Sequence, residues 1–136
     1  MDFETRAVHG HKDHPLLAGT VAPPIHLSTT YWREPDGTYP DGYTYSRRGN
    51  PNREALEQTL ADLEGGTEAA CFASGTAAAS AVFLALATGD HVLVAHDAYY
   101  GTREMLQEIF PRWGLNATFV DMTRPEPVAA AATPRT

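Results

Sequence analysis

Three short stretches carry the residue types from which a site could be built. The richest is Ala73-Ser74-Gly75-Thr76, which stands between a short apolar run and a helix of small residues. The first turn of a helix leaves its backbone N–H groups without intrahelical partners, and their partial positive charge favours an anion, most often a phosphate. Gly75 permits close approach of the backbone, and the hydroxyls of Ser74 and Thr76 add donors. A capped turn without a ligand is the alternative reading of the same residues. Neither G-x-G-x-x-G nor G-x-x-x-x-G-K-[ST] occurs, which argues against a dinucleotide fold or a nucleotide triphosphatase.

The second stretch, Asp97-Ala98-Tyr99-Tyr100-Gly101-Thr102, again separates a buried-type strand from a helix. Two strand ends would then meet at one sheet edge, the place where open α/β sheets bind ligands. Tyr99 could stack there on a planar ring and offer its hydroxyl, or simply cover the rim of the core. The third stretch runs from Tyr43 to Pro51 and pairs Arg47 and Arg48 with Tyr43 and Tyr45. A guanidinium fork suits a phosphate or carboxylate, and a solvated turn before a capped helix is the alternative. His9, His11 and His14 are close in sequence, but their irregular setting lacks the ligand spacing of a metal site, and no metal is expected. Cys71 lies in an apolar run, which points to inert packing.

These stretches need elements to hold them. Residues 1–50 are punctuated by Pro15, Pro23, Pro24, Pro35 and Pro40 and by several glycines, and no helical or alternating pattern persists. An extended arm with turns is expected there, lying on a partner subunit because it has little core of its own. From residue 51 to 136 the pattern becomes α/β. Asn50-Pro51 reads as an N-cap followed by proline at the first helical position. Leu56, Leu60 and Leu63 share a helical face, and Gly65-Gly66 closes it. Ala69–Phe72 suits a buried strand, and residues 76–87 a small-residue helix packed on both sides. His91–Ala95 suits a strand buried on both faces. A helix over 102–113, with Met105, Leu106, Ile109 and Phe110 on one face, should be kinked or shortened by Pro111. A strand over Ala117–Val120 and a helix opening at Pro125 follow. The alternation implies an α/β layered domain with a largely parallel sheet.

The chain has 136 residues and a formal net charge of −7, with 43% hydrophobic and 20% charged residues. That is room for one ordinary domain, and too apolar for a disordered tail. The acidic balance argues against binding nucleic acid, which calls for a basic surface. A single cysteine excludes an intramolecular disulfide. The start is acidic and unlike a signal peptide, and the longest apolar run, Ala81–Ala87, is far short of the roughly 20 residues that span a bilayer. A cytoplasmic protein without membrane contact is the expectation. Of its ten basic residues, only Lys12 is a lysine.

Taken jointly, the segments resemble the pyridoxal-phosphate enzymes of cysteine and methionine metabolism: the cystathionine γ-synthase, cystathionine lyase and homoserine sulfhydrylase family. The matching pieces are Glu4–His9, Ala22–Tyr31, Tyr45–Pro51, Leu63–Gly66, Phe72–Ala78, Gly89–Val92 and Asp97–Thr102. The resemblance implies the N-terminal part of an aspartate-aminotransferase-like (fold type I) α/β large domain, preceded by the arm. It implies pyridoxal 5′-phosphate as cofactor. Gly75 and Thr76 would give backbone donors to its phosphate, helped by the Ser74 hydroxyl. Tyr99 would stack on the pyridine ring and move substrate protons, as the one catalytic residue in this stretch. Tyr45 and Arg47 would reach the phosphate of a neighbouring subunit's cofactor, in a homo-oligomer built as a dimer of dimers.

The reaction class implied is β- or γ-elimination or replacement on a homoserine ester, cystathionine or a cysteine-type amino acid. Thr76 stands where the family usually has methionine, Tyr100 replaces the first glycine of a usual Tyr-Gly-Gly, and Arg103 comes one position early. The family also needs a lysine to hold the cofactor, and Lys12 does not correspond to it. The expectation is therefore an N-terminal segment of a longer enzyme, inactive alone. The alternatives are a non-catalytic phosphate-binding or assembly module and another fold-type-I enzyme such as an aminotransferase.

Overall fold

Asn50 does what an N-cap should. Its side-chain oxygen accepts from the N–H groups of Asn52 (2.9 Å) and Arg53 (3.3 Å), two of the donors that a helix start leaves unpaired. Pro51 opens helix α2, Pro51–Glu64, which Gly65 ends at φ +68°, a left-handed conformation that glycine adopts without steric cost. The computed structural model describes residues 2–17 and 19–136. Met1 and Ala18, both within the expected arm, lie outside the described residues.

The chain forms two compact units, one running through Cys71 and the other from Phe72 to Thr136. In the first, helix α1 (Phe3–His9) continues into a 3₁₀ turn, Gly10–Asp13. The sequence pattern gave no sign of α1. It is too short to display a period, although Glu4 in its first turn and Arg6 and His9 in its last complement the helix dipole. Helix α2, grouped from the sequence with the residues after 50, packs on α1 and its turn, so the first unit extends past the expected boundary. Between them the chain is extended and turning, with one antiparallel bridge between Thr30 and Tyr45. Asn52 fastens it to the start of α2, accepting from His26 N–H (2.8 Å) and donating to the Pro24 carbonyl (2.7 Å).

The leucine stripe of α2 does not face the unit's interior. Pro51, Ala55 and Ala61 are buried, whereas Leu56 is 51% exposed and Leu60 is also exposed. The expected strand over Ala69–Phe72 is absent as well. The stretch has no neighbouring strand among the described residues to complete a ladder, and Cys71 N–H donates to Glu57 Oε1 instead (2.8 Å). Cys71 is half-buried rather than buried.

The second unit contains α3 (Gly75–Leu84), β1 (His91–Ala95), α4 (Tyr100–Glu104), β2 (Asn116–Val120) and α5 (Pro125–Ala131). The two strands are parallel, in register from His91 opposite Asn116 to Ala95 opposite Val120. After α4 the chain widens into a π turn, Met105–Ile109, then tightens into a 3₁₀ turn, Phe110–Trp113. This is the disruption expected of Pro111, which has no N–H to continue the helical ladder. Met105, Leu106, Phe110 and Leu115 form the core, with Phe83, Val92, Val94 and Phe119 packed against it. Ile109 is swung out of the expected face and is exposed.

Two further expectations are corrected. Strand β1 is half-buried along its length, not enclosed on both faces, and α3 has no buried residue. A two-stranded sheet does not cover both faces of a helix as apolar as α3, and Val82 and Leu84 remain exposed. Gly114 closes the 3₁₀ turn at φ +79°, and a side chain there would stand 2.6 Å from Thr88 Cγ2. Among the described residues, no helix is long and apolar enough to cross a membrane.

Candidate functional site

The candidate residues divide between the two units: Tyr45 and Arg47 in the first, and Ser74, Gly75, Thr76 and Tyr99 in the second. In the second unit, Ser74 is the N-cap of α3, and its Oγ accepts from Ala77 N–H at 3.1 Å. Ala78 N–H bonds to the Ser74 carbonyl (3.1 Å). The Gly75 and Thr76 N–H groups have no partner among the described residues, and they project from the positive end of a ten-residue helix. A methyl group placed on Gly75 would meet nothing within 4 Å, so the approach to these donors is open. The Ser74 hydroxyl is therefore already used as a cap acceptor, while its hydrogen stays available to donate.

Tyr99 immediately precedes α4, and its carbonyl accepts from Thr102 and Arg103 N–H at 3.0 and 3.1 Å. Tyr99 is 73% exposed. Gly101 measures how close the two stretches come. A methyl group there would lie 3.0 Å from Tyr99 Cε1 and 3.8 Å from Thr76 Oγ1. The starts of α3 and α4 are thus neighbours, as the reading of two adjoining helix entries required, although the segment before α3 is not a strand. The pair offers an aromatic face beside two amide donors and a hydroxyl. That donor set suits a planar ring bearing a phosphate. Arg103 is part of α4, and its Nε is buried without a hydrogen-bond partner among the described residues.

In the first unit, the Arg47 guanidinium stacks on the Tyr45 ring, with Cζ 4.6 Å from its centroid, and Nη1 donates to the Tyr45 hydroxyl (3.4 Å). This pairing holds an exposed cation in place by its attraction to the ring face. The backbone beneath is well tied. Ser46 N–H donates to the Thr29 carbonyl (2.8 Å), and Arg48 and Gly49 N–H both donate to the Tyr45 carbonyl (2.9 and 3.0 Å).

Sequence reasoning did not find what lies next to it. Tyr43 is buried and donates its hydroxyl to Glu54 Oε2 at 2.5 Å, while His14 Nε2 stands 3.1 Å from the same hydroxyl. Burial, and then the bond to Glu54, push the Tyr43 phenol well above its ordinary acidity range, so it stays neutral. The available signal was Glu54 in the first turn of a capped helix, four residues past Asn50, with Tyr43 in the arginine–tyrosine stretch. The three histidines do not converge. The His9 and His11 rings are 6.4 Å apart at their centroids, and His14 is occupied by Tyr43.

Similarity to known proteins extends over the same residues. The family model described as "Cys/Met metabolism PLP-dependent enzyme" matches residues 4–136. Cystathionine beta-lyase MetC of Bacillus subtilis is 44% identical over 98% of this chain, which covers 34% of that protein. A probable cystathionine gamma-synthase of Herpetosiphon aurantiacus is 42% identical, with 98% of this chain and 42% of that protein covered. The crystal structure of metB from Corynebacterium glutamicum superposes with a TM-score of 0.91 and 37% identity, covering 100% of this chain and 36% of that one. The fold is thus that of a part of these enzymes' α/β domain, and the chain spans well under half the length of the relatives it matches.

Proposed function

The chain belongs to the Cys/Met metabolism PLP-dependent enzyme family, and from that premise we propose that it contributes two parts of a pyridoxal-phosphate site in a transsulfuration enzyme. The observation that carries this reading is the meeting of Thr76, Gly101 and Tyr99 beside the unpaired N–H groups at the start of α3. The donors and the open approach fit a phosphate, and the exposed Tyr99 face fits a pyridine ring. When bound, pyridoxal phosphate supplies an electron sink for a carbanion next to the amino group of a substrate.

The chain's own residues would bind and orient. Gly75 and Thr76 N–H, with the Ser74 hydroxyl, would hold the phosphate. Tyr99 would fix the ring plane and hold or move a substrate proton at its phenolic oxygen. Tyr45 and Arg47 would turn a second, charged contact toward the phosphate of a neighbouring subunit. Exposed apolar side chains of the arm, Leu27 at 88% and Trp32 at 78%, support a reading in which this stretch lies on that neighbour. The substrate class would be a homoserine ester, cystathionine or a cysteine-type amino acid, transformed by elimination or replacement in the β or γ position. This chain alone would not turn over, because Lys12 lies in the 3₁₀ turn beyond α1, outside the two stretches that would hold the cofactor.

The test is spectroscopic and kinetic. The expressed chain should take up no pyridoxal phosphate that survives dialysis as a stable absorbance. The longer polypeptide should release a keto acid or replace a substituent on the named substrates. Stable absorbance lost on Lys12→Ala would defeat the claim for the chain, and a longer enzyme capable only of transamination would defeat the reaction class.

A further inference from the structure

The side chains around Tyr43 form a directed hydrogen-bond chain. Leu16 N–H donates to His14 Nδ1 (3.3 Å), which leaves Nδ1 as the acceptor and puts the ring hydrogen on Nε2. Nε2 then donates to the Tyr43 oxygen (3.1 Å), and Tyr43 O–H donates to Glu54 (2.5 Å). Every group has one compatible role, so the chain joins three segments far apart in sequence without conflict. Gly49 seals it: a methyl group there would stand 3.0 Å from Tyr43 Cδ1 and 3.4 Å from Glu54 Oε1.

The neighbouring residue of α2 holds the other side. Arg53 donates to the Ser46 carbonyl from Nη1 and to the Arg48 carbonyl from Nη2, both at 3.0 Å. Adjacent residues in the first turn of α2 therefore grip the chain at Tyr43 and at 46–48. Between those grips lie Tyr45 and Arg47, with the guanidinium exposed and stacked on the ring. A long arginine free in solvent would lose much rotamer freedom on meeting an anion. A fixed backbone and a stacked head reduce that loss beforehand.

We infer that the His14–Tyr43–Glu54 chain, acting with Arg53, is a positioning device that holds Tyr45 and Arg47 ready for an anion. The inference rests on the reading of Arg47 as a phosphate contact, and its test separates the two. The whole 136-residue chain is labelled with ¹⁵N, and exchange is followed at Ser46, bonded to Thr29, and at Gly65, whose N–H closes α2 on Ala61. Tyr43→Phe removes the hydroxyl, and Glu54→Gln retains an acceptor.

In Tyr43→Phe, Ser46 should exchange about tenfold faster, as expected for loss of one hydrogen bond, while Gly65 stays unchanged. The Arg47 Nε–H resonance should lose the ring-current shift given by Tyr45. Glu54→Gln should preserve most of both signals, and the double variant should be no worse than Tyr43→Phe, because the two groups act through one bond. Wild-type behaviour of Ser46 and Arg47 in Tyr43→Phe overturns the inference, and so does equal acceleration at Gly65. In a parallel titration with pyridoxine 5′-phosphate, which lacks an aldehyde to react with amines, Arg47→Ala should weaken the response at the Ser46 and Arg47 amides. If Arg47→Ala responds as wild type does, the phosphate reading of Arg47 fails, while the exchange data still decide whether the segment is held.

Discussion

The two units are held together by different forces. From Phe72 onward, cohesion comes from apolar packing under a parallel strand pair: Met105, Leu106, Phe110 and Leu115 against Phe83, Val92, Val94 and Phe119. Through Cys71 it comes largely from named polar ties, Asn50 and Asn52 to the chain near Pro24 and His26, Arg53 to two carbonyls, and Tyr43 between His14 and Glu54. Apolar packing is non-directional and tolerates adjustment, whereas each polar tie specifies one partner at one atom. The difference matches what each unit presents. The second exposes main-chain donors beside an aromatic face, and the first exposes a guanidinium that only side chains can aim.

The sharpest way to break the comparison is to remove the core of the second unit. Phe110 is 4% exposed and lies edge-on to Phe83 and Trp113, with centroids 5.4 and 5.6 Å away. Phe110→Ala should cost about 3–5 kcal/mol, seen as loss of exchange protection at His96, whose N–H bonds to the Val120 carbonyl. Protection that survives would mean that this unit does not depend on its apolar centre.

Removing the Tyr43 hydroxyl should cost less, about 0.5–1.5 kcal/mol, the net worth of a hydrogen bond whose acceptor, Glu54, stays half open to water. It should also change the response to alkali. Folding raises the Tyr43 pKa above its ordinary value near 10, so the neutral phenol stabilises the fold. That contribution is complete below about pH 10 and is lost as the pH rises above it. Urea titrations at pH 8 and 11 should therefore differ more for wild type than for Tyr43→Phe, and equal differences would count against the bond to Glu54.

Asn50→Ala comes next, at about 1 kcal/mol for a lost N-cap, measurable as a shifted urea midpoint accompanied by fraying at Asn52 and Arg53. The smallest effect is expected of Thr76→Met. The Thr76 side chain is exposed and its hydroxyl has no partner among the described residues, so stability should move by less than about 0.5 kcal/mol. A larger change would mean that side-chain chemistry matters at the start of α3 as it does around Tyr43.

The same division explains what the sequence could tell. Elements set by adjacent residues were legible: the Asn50-Pro51 start and Gly65 stop of α2, strand β1, the Pro111 disruption and the Pro125 start of α5. Features decided by distant partners were not. The apolar run Ala69–Phe72 reads as a strand, but strands exist only in pairs, and no neighbouring strand is present among the described residues. The leucines of α2 read as an inner face, yet the small residues Pro51, Ala55 and Ala61 are the buried ones. In the site, the starts of α3 and α4 were legible because a glycine and hydroxyls after an apolar run have local meaning. Tyr43, Glu54 and His14 were not, since nothing within a few residues of each announces the other two.

The unpaired amides at the start of α3 have a further consequence, for how this sequence can change over generations. An N–H donor belongs to the backbone and survives almost any replacement of the residue that bears it, proline excepted. Position 76 can therefore drift, and exchange of threonine for methionine there is the sort of variation such a donor permits. Tyr43 and Glu54 have less freedom, because their bond is made by side chains. The Tyr43 hydroxyl needs an acceptor at position 54, so lineages that keep Tyr43 should keep glutamate there or exchange it for another acceptor such as glutamine, and a survey of natural variants would find position 76 wandering more widely than position 54.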